Sequence, residues 1–311
     1  MTRNSRIFTA FVTVAKLAGN IFFYFNLKGK HEVDSETRST VSLVLLTITS
    51  LGVAIFFFIR PTPWILKQKK VPKPIESLNQ SLKLFLHNDM ILLSIFNFYI
   101  GLQMSFRSSI YSICLGFTHQ FGADAKALAT VNGISVAMGT TVGAVAVSLL
   151  AKGILKKIGR DPVVILAFLL NTIGYFIVFL NTPHMANIRQ TTVWDMAYLT
   201  PSKYLAILCG FLFGVGDGCI ATQVSSILGV GWRDNSASAF ALTKFTQCLA
   251  SFLAFIFASQ VNLFIHLAVL MAFNIVGTAA FCVVEWRMVE REKEEREVGQ
   301  DGEHDGLVVT A

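Results

Sequence analysis

The chain has 311 residues, of which 53% are hydrophobic and only 14% charged, and its mean hydropathy is +0.59. Soluble domains carry about 25% charged residues, so this composition excludes an ordinary soluble enzyme and describes a polytopic membrane protein. The net charge of +7 sits in short loops beside apolar runs, which makes it a topology signal and excludes a nucleic-acid footprint.

Runs near the roughly 20 apolar residues that a membrane helix needs occur eight times, at 7–26, 41–59, 90–117, 128–151, 162–180, 204–230, 237–259 and 262–284. The basic start leads into a run that holds Lys16, with no small-residue cleavage site, so no cleavable signal is expected. After the second run, 60–89 opens as RPTPWILKQKKVPKP, a solvated linker. It closes as an amphipathic helix with Leu78, Leu82, Phe85 and Leu86 on one face, as an interfacial helix requires. The linker divides the spans two plus six: 1–59, then 90–284, then a charged tail over 285–311. That tail reads as a short helical extension followed by a disordered end.

The third run carries Gln103, Arg107, Ser105, Ser108 and Ser109, a polar face that belongs in a bundle interior. The fourth contains Gly139-x3-Gly143, and the sixth contains Gly210-x3-Gly214, spacings that let helix backbones approach closely. Between the fourth and fifth lies a basic loop with Gly153, Gly159 and Arg160. It is read as an anchor with a tight turn, or as a latch between helices.

The sixth run is also interrupted by Asp217 and, further on, Gln223. A charge at mid-membrane costs roughly 2.5–3.5 kcal/mol on insertion scales, so it faces a cavity or a partner. Lys244, in the next run, is the expected partner, and Gly216 and Gly218 leave room beside Asp217. The turn between the runs, 232–236, supplies Asp234, Asn235 and Ser236 as candidate helix caps.

Of the 26 basic residues, 17 fall on the side of the termini and the long linker, so the positive-inside rule puts both termini in the cytoplasm. Which organelle's membrane holds the chain is left open. The five cysteines show no CxxC pairing and read as small buried residues; the six histidines have no ligand spacing, so no metal is expected. No phosphate-binding, zinc-protease or serine-elbow motif occurs, so neither an enzyme nor a cofactor is expected.

The loop from Gly153 to Pro162 resembles the second-half signature loop of the major facilitator superfamily, with Lys156 at its acidic position and Asp161 after Gly-Arg. More specifically, several segments are similar to the Unc-ninety-three-like branch of that superfamily. They are Gly214-Val215-Gly216-Asp217, Thr222-Gln223, Ser226-Ile227-Leu228-Gly229, Ser236-Ala237-Ser238-Ala239-Phe240, Lys244-Phe245 and Val284-Glu285-Trp286, with Asn4-Ser5, Gly19-Asn20 and Gly29-Lys30 near the start.

The resemblance implies an all-α membrane protein, a polytopic bundle of major-facilitator type. Members have twelve helices in two halves, and this chain aligns with the fifth to the twelfth, so a truncated bundle of about eight helices is expected. It also implies that runs 90–117 and 204–230 line a central cavity. Two functions follow from it: a secondary transporter of a small solute or ion, or a non-transporting regulatory or trafficking partner of an ion channel or membrane receptor.

Overall fold

The computed structural model describes residues 3–28, 34–58, 74–150, 159–233 and 235–308. Among the described residues there are helices and connecting turns and no strands, as a chain in lipid must satisfy its backbone within each segment. The helices are α1 (Arg3–Leu27), α2 (Ser35–Phe58), α3 (Pro74–Phe85), α4 (Asn88–Phe117), α5 (Ala125–Leu150), α6 (Asp161–Asn181), α7 (Lys203–Gly231), α8 (Ser236–Phe257) and α9 (Leu263–Val308). A short 3-10 turn, His119–Asp124, joins α4 to α5.

Seven of these, α2 and α4 to α9, are long and apolar enough to cross a membrane. The eighth expected span, 7–26, falls within helix α1, which carries Lys16, Asn20 and Asn26 among its apolar residues. α1 packs on α5, and the Asn20 side chain lies against Gly133. α2 buries only Thr37 among its described side chains and leaves Leu46, Leu51, Phe57 and Phe58 exposed, as suits a helix surrounded by lipid. A helix forms where one was expected near 78–86, as α3, which packs against α8 and leaves Leu82 and Phe85 exposed, with Leu86 exposed just beyond it.

The bundle proper is built from α4 to α9. α4 packs on α8 and α9, α6 on α7 and α9, and α5 runs against α7. That last contact is a ladder of small residues, and here the two Gly-x3-Gly motifs meet. A Cβ on Gly139 would lie 2.3 Å from the Phe211 carbonyl oxygen, and one on Gly214 would lie 2.2 Å from that of Val136. Gly143 and Gly218 are as tight, each 2.3 Å from a carbonyl oxygen of the facing helix. Lipid offers no hydrophobic drive between helices, so such close packing is what holds them together.

Two apolar cores fill the bundle. One gathers Phe106, Tyr111, Tyr175 and Phe213, with the Tyr175 and Phe213 rings 5.3 Å apart. The other gathers Phe96, Phe281, Ile227 and Leu228, with the Phe96 and Phe281 rings 5.0 Å apart. Four cysteines, Cys114, Cys209, Cys219 and Cys282, are buried as expected, whereas Cys248 is exposed.

The segment between α6 and α7 is pinned by hydrogen bonds to three neighbours. Thr191 N–H donates to the Phe117 carbonyl at 2.9 Å, Asn187 Nδ2 donates to the carbonyls of Ala258 and Val261, and Leu263 N–H donates to that of His184. Within it Asp195 accepts the Thr192 N–H at 2.8 Å, both ends of the Arg189 guanidinium, and the Thr192 hydroxyl. The Thr192 amide, with Arg189 beside it, lowers the Asp195 pKa to about 2 from an ordinary 3.8. A depressed folded value means the turn's support is present above the ordinary value and lost as pH falls through about 2. Hydrogen exchange should therefore find the Thr192 amide equally protected from neutral pH down to the ordinary carboxylate value, and progressively released below it. Release already at mildly acidic pH would refute this.

The final helix does not stop where the apolar run ends. α9 continues through the charged segment to Val308, where a disordered end was expected, and residues 309–311 lie outside the described residues.

Candidate functional site

Between the two cores lies a polar layer. Moving along each helix from one core to the other, Asn171 on α6, Asp217 on α7, Gln247 on α8 and Asn274 on α9 fall at the crossover. Asn171 Nδ2 donates to the Tyr99 hydroxyl at 3.0 Å, which sits 3.3 Å from that of Tyr175. Gln247 Nε2 donates to Asn97 Oδ1 at 3.0 Å, and Asn274 Nδ2 reaches Thr172 at 3.2 Å.

The charged centre of this layer is an ion pair between α4 and α7: Arg107 Nη1 lies 3.1 Å from Asp217 Oδ2. The Arg107 side chain is 7% exposed and that of Asp217 20%, so the pair is largely removed from water. Gly216 and Gly218 flank the carboxylate, and Cβ atoms there would lie 2.7 Å from Asn171 Oδ1 and 2.3 Å from the Thr140 carbonyl. Only bare backbone brings Asp217 this deep.

Arg107 is placed by a break in its helix. Over Phe106–Ile110, α4 widens into a π-helical turn, where Tyr111 N–H reaches back to the Phe106 carbonyl. Such turns recur at functional sites. Two donors on this stretch, Arg107 Nε and Gln103 Nε2, are buried and meet no acceptor among the described residues. Each such group costs about 1–3 kcal/mol, so a chain that keeps two side by side tolerates a penalty that a packed apolar pair would avoid.

The expected Asp217–Lys244 pair does not form. Lys244 is exposed on α8, and its Nζ donates to Gln247 Oε1 at 3.0 Å. The reason is geometric: α7 faces α5 and α6 along its length and meets α8 only marginally, whereas the wide turn carries Arg107 into the gap above Asp217. Gln223 is buried on α7 but belongs to neither the pair nor the layer's hydrogen bonds.

A second set of contacts closes the end of the bundle that carries the basic loops. Gly159 has φ +93°, a left-handed turn open to glycine, and it delivers Arg160 to α9. Arg160 Nη1 then meets Glu285 Oε2 at 2.7 Å, its backbone N–H meets Glu285 Oε1, and its Nε donates to Ser226 on α7. Trp286 Nε1 donates to Asp161, and Arg287 and Arg291 both bind Asp89 at the start of α4. Gly153 lies outside the described residues. Asn235 precedes α8 but gives it no side-chain cap; it accepts a hydrogen bond from Gln80 of α3 instead. Replacing Glu285 with glutamine should lower stability by about 2 kcal/mol, below the ~3–5 of a fully buried pair because Arg160 keeps some water. A detergent-solubilised thermal melt measures it, and an unchanged midpoint would show that the contact carries no energy.

Searching for charges alone left Asn97, Tyr99, Asn132, Asn171, Tyr175, Gln247 and Asn274 unnoticed. Their signal is the lone amide or hydroxyl in an otherwise apolar run, and Asn132 illustrates it: fully buried on α5, with neither end of its amide paired among the described residues.

Seven apolar spans among the described residues, a glycine-packed helical bundle and a charged pair in its interior describe a multi-pass membrane protein. The sequence pattern of the family described as "Ion channel regulatory protein UNC-93" matches residues 1–282. Two relatives named "UNC93-like protein MFSD11", from Xenopus laevis and Xenopus tropicalis, are each 36% identical, over 309 and 310 residues; each match covers 93% of this chain and 69% of the relative. The chain belongs to the UNC-93 family, within the major facilitator type. No solved structure matches it.

Proposed function

We propose that this chain forms the cavity-lining part of a secondary transporter for a small solute or ion, with the Arg107–Asp217 pair as its switch. One observation carries the reading: a nearly dry ion pair set on a π-helical turn, beside two donors that lack acceptors. A solute bearing an acceptor group satisfies those donors, competes with Asp217 for Arg107, and so couples binding to the contact between α4 and α7. The contacts of Arg160 with Glu285 and of Asp89 with Arg287 and Arg291 form the opposing closure, at the end that the distribution of basic loops assigns to the cytoplasm, together with both termini. The division at 60–89 separates two helices of one half from the six-helix bundle of the other.

The test is a screen of small solutes against the purified protein, read as thermal stabilisation and followed by uptake into proteoliposomes. A stabilising solute is expected, with its effect lost in Arg107→Gln and kept in Lys244→Ala. If no solute stabilises the protein and vesicles with and without it take up solutes alike, the reading fails.

A second reading is favoured by α2, whose apolar surface is uncovered along its length. Here the chain is a regulatory or trafficking partner of a channel or receptor; of these roles the family's description prints ion channel regulation. Stable recovery of one channel or receptor with the protein from native membranes supports it, and recovery of the protein alone counts against it.

A further inference from the structure

A pocket of about 500 Å³ opens where α3 hands over to α4 and where α9 leaves its span. Leu86, His87, Asn88, Asp89, Arg287 and Arg291 line it. We propose that it binds the phosphorylated headgroup of an anionic phospholipid.

Asp89 is 2% exposed and holds both guanidiniums, Arg287 Nη1 at 3.2 Å and Arg291 Nη2 closer still. The two arginines are thus fixed in position, yet each is about half exposed. A guanidinium carries five donors, and Asp89 occupies one on each in the hydrogen bonds described, which leaves further donors on two half-exposed arginines that line the pocket. Two arginines against one carboxylate give the lining a formal charge of +1, with the exposed His87 imidazole beside them as a further donor. Glu290 and Glu294 do not line it. Paired arginines are suited to phosphate because each offers two parallel N–H groups to two oxygens.

Position selects a lipid as the source of that phosphate. Asn88 opens one membrane-crossing helix, and Arg287 follows closely on the apolar run 262–284 of another, so the pocket lies at the level where headgroups sit. Leu86 lines the pocket and is largely exposed, and Ile75, Leu82 and Phe85 on α3 extend an apolar edge away from it. Acyl chains cover that edge while the headgroup meets the arginines. The volume falls within the roughly 300–1,000 Å³ of small-ligand sites, more than one phosphate alone occupies.

Native mass spectrometry of the purified full chain, titrated with phosphatidylinositol bisphosphate in excess phosphatidylcholine, tests this. A retained bisphosphate adduct is expected. At about 1 kcal/mol per basic group near the surface, the Arg287→Gln/Arg291→Gln variant should bind roughly thirtyfold more weakly. Equal retention by that variant, or equal retention of phosphatidylcholine, would overturn the proposal. Soluble inositol trisphosphate that bound as tightly as the lipid would mark a site for a free anion and overturn it too. A photo-crosslinking phosphoinositide, used on the unaltered chain, removes dependence on the variant's folding: label should fall on 86–89 or 287–291, and label confined elsewhere sinks the idea. None of these outcomes depends on whether the chain transports a solute.

Discussion

Asp217→Asn should cost about 3 kcal/mol of stability, the low end of the ~3–5 kcal/mol for removing one partner of a buried pair, because the carboxylate keeps a fifth of its surface in water. The loss arises less from the missing attraction than from Arg107, left charged and desolvated with its Nε already unpaired. The double variant Arg107→Gln/Asp217→Asn should therefore recover most of it, since two neutral amides of similar size can satisfy each other. Lys244→Ala, an exposed side chain hydrogen-bonded to Gln247, should change stability by no more than about 0.5 kcal/mol. Reversible unfolding in mixed micelles of the unaltered chain, Asp217→Asn, Arg107→Gln and the double variant closes a double-mutant cycle, with Lys244→Ala measured beside it. If Lys244→Ala were as costly as Asp217→Asn and Arg107→Gln were neutral, the pairing suggested by the sequence would be right and the α4–α7 pair wrong.

A larger effect is expected from Gly214→Leu. Even a methyl group there would lie 2.2 Å from the Val136 carbonyl oxygen and 3.0 Å from the Gly139 Cα, backbone atoms that cannot swing aside. Each overpacked methyl costs about 1–3 kcal/mol, so Gly214→Ala should be measurably destabilising. The leucine should cost more than about 4 kcal/mol, comparable with the whole margin of a small domain. The result would be loss of the monodisperse folded protein, seen by size-exclusion chromatography after mild solubilisation. Gly229, on the same helix, has nothing within 4 Å of an added Cβ. Gly229→Ala should be neutral or slightly stabilising, by up to about 1 kcal/mol of helix propensity. Equal behaviour at both positions would mean that α5 and α7 are not held by close approach.

These two cases also show what could be read from the sequence. Both Gly-x3-Gly motifs were legible because small residues at that spacing have one main use, and a membrane helix of suitable length announces itself by composition. That Arg107 and Asp217 lie in the interior was legible for the same reason, since a charge in lipid needs a partner. Which partner was not. Nearness in sequence favoured Lys244, but partner choice depends on which helix faces which, and α7 turns towards α5 and α6. The π-helical turn that delivers Arg107 has no signature in FRSSI. The amide layer escaped notice because a lone asparagine in an apolar run is ordinary one helix at a time, and becomes a pattern only when the helices are stacked.

The wide turn over Phe106–Ile110 also bears on how the gene can vary. A π-helical turn holds one residue more than an ordinary turn, so removing one residue there would let α4 close into regular helix with both flanks still facing their neighbours. Elsewhere in the bundle a one-residue loss rotates everything beyond it by roughly 100° and turns core side chains out to lipid. Among the described bundle helices this turn is thus a place where a codon can be lost at little structural cost, and it holds Arg107. Orthologues that differ in length by one residue within this span should differ here, and their stretch around the lost residue should no longer present a guanidinium to Asp217.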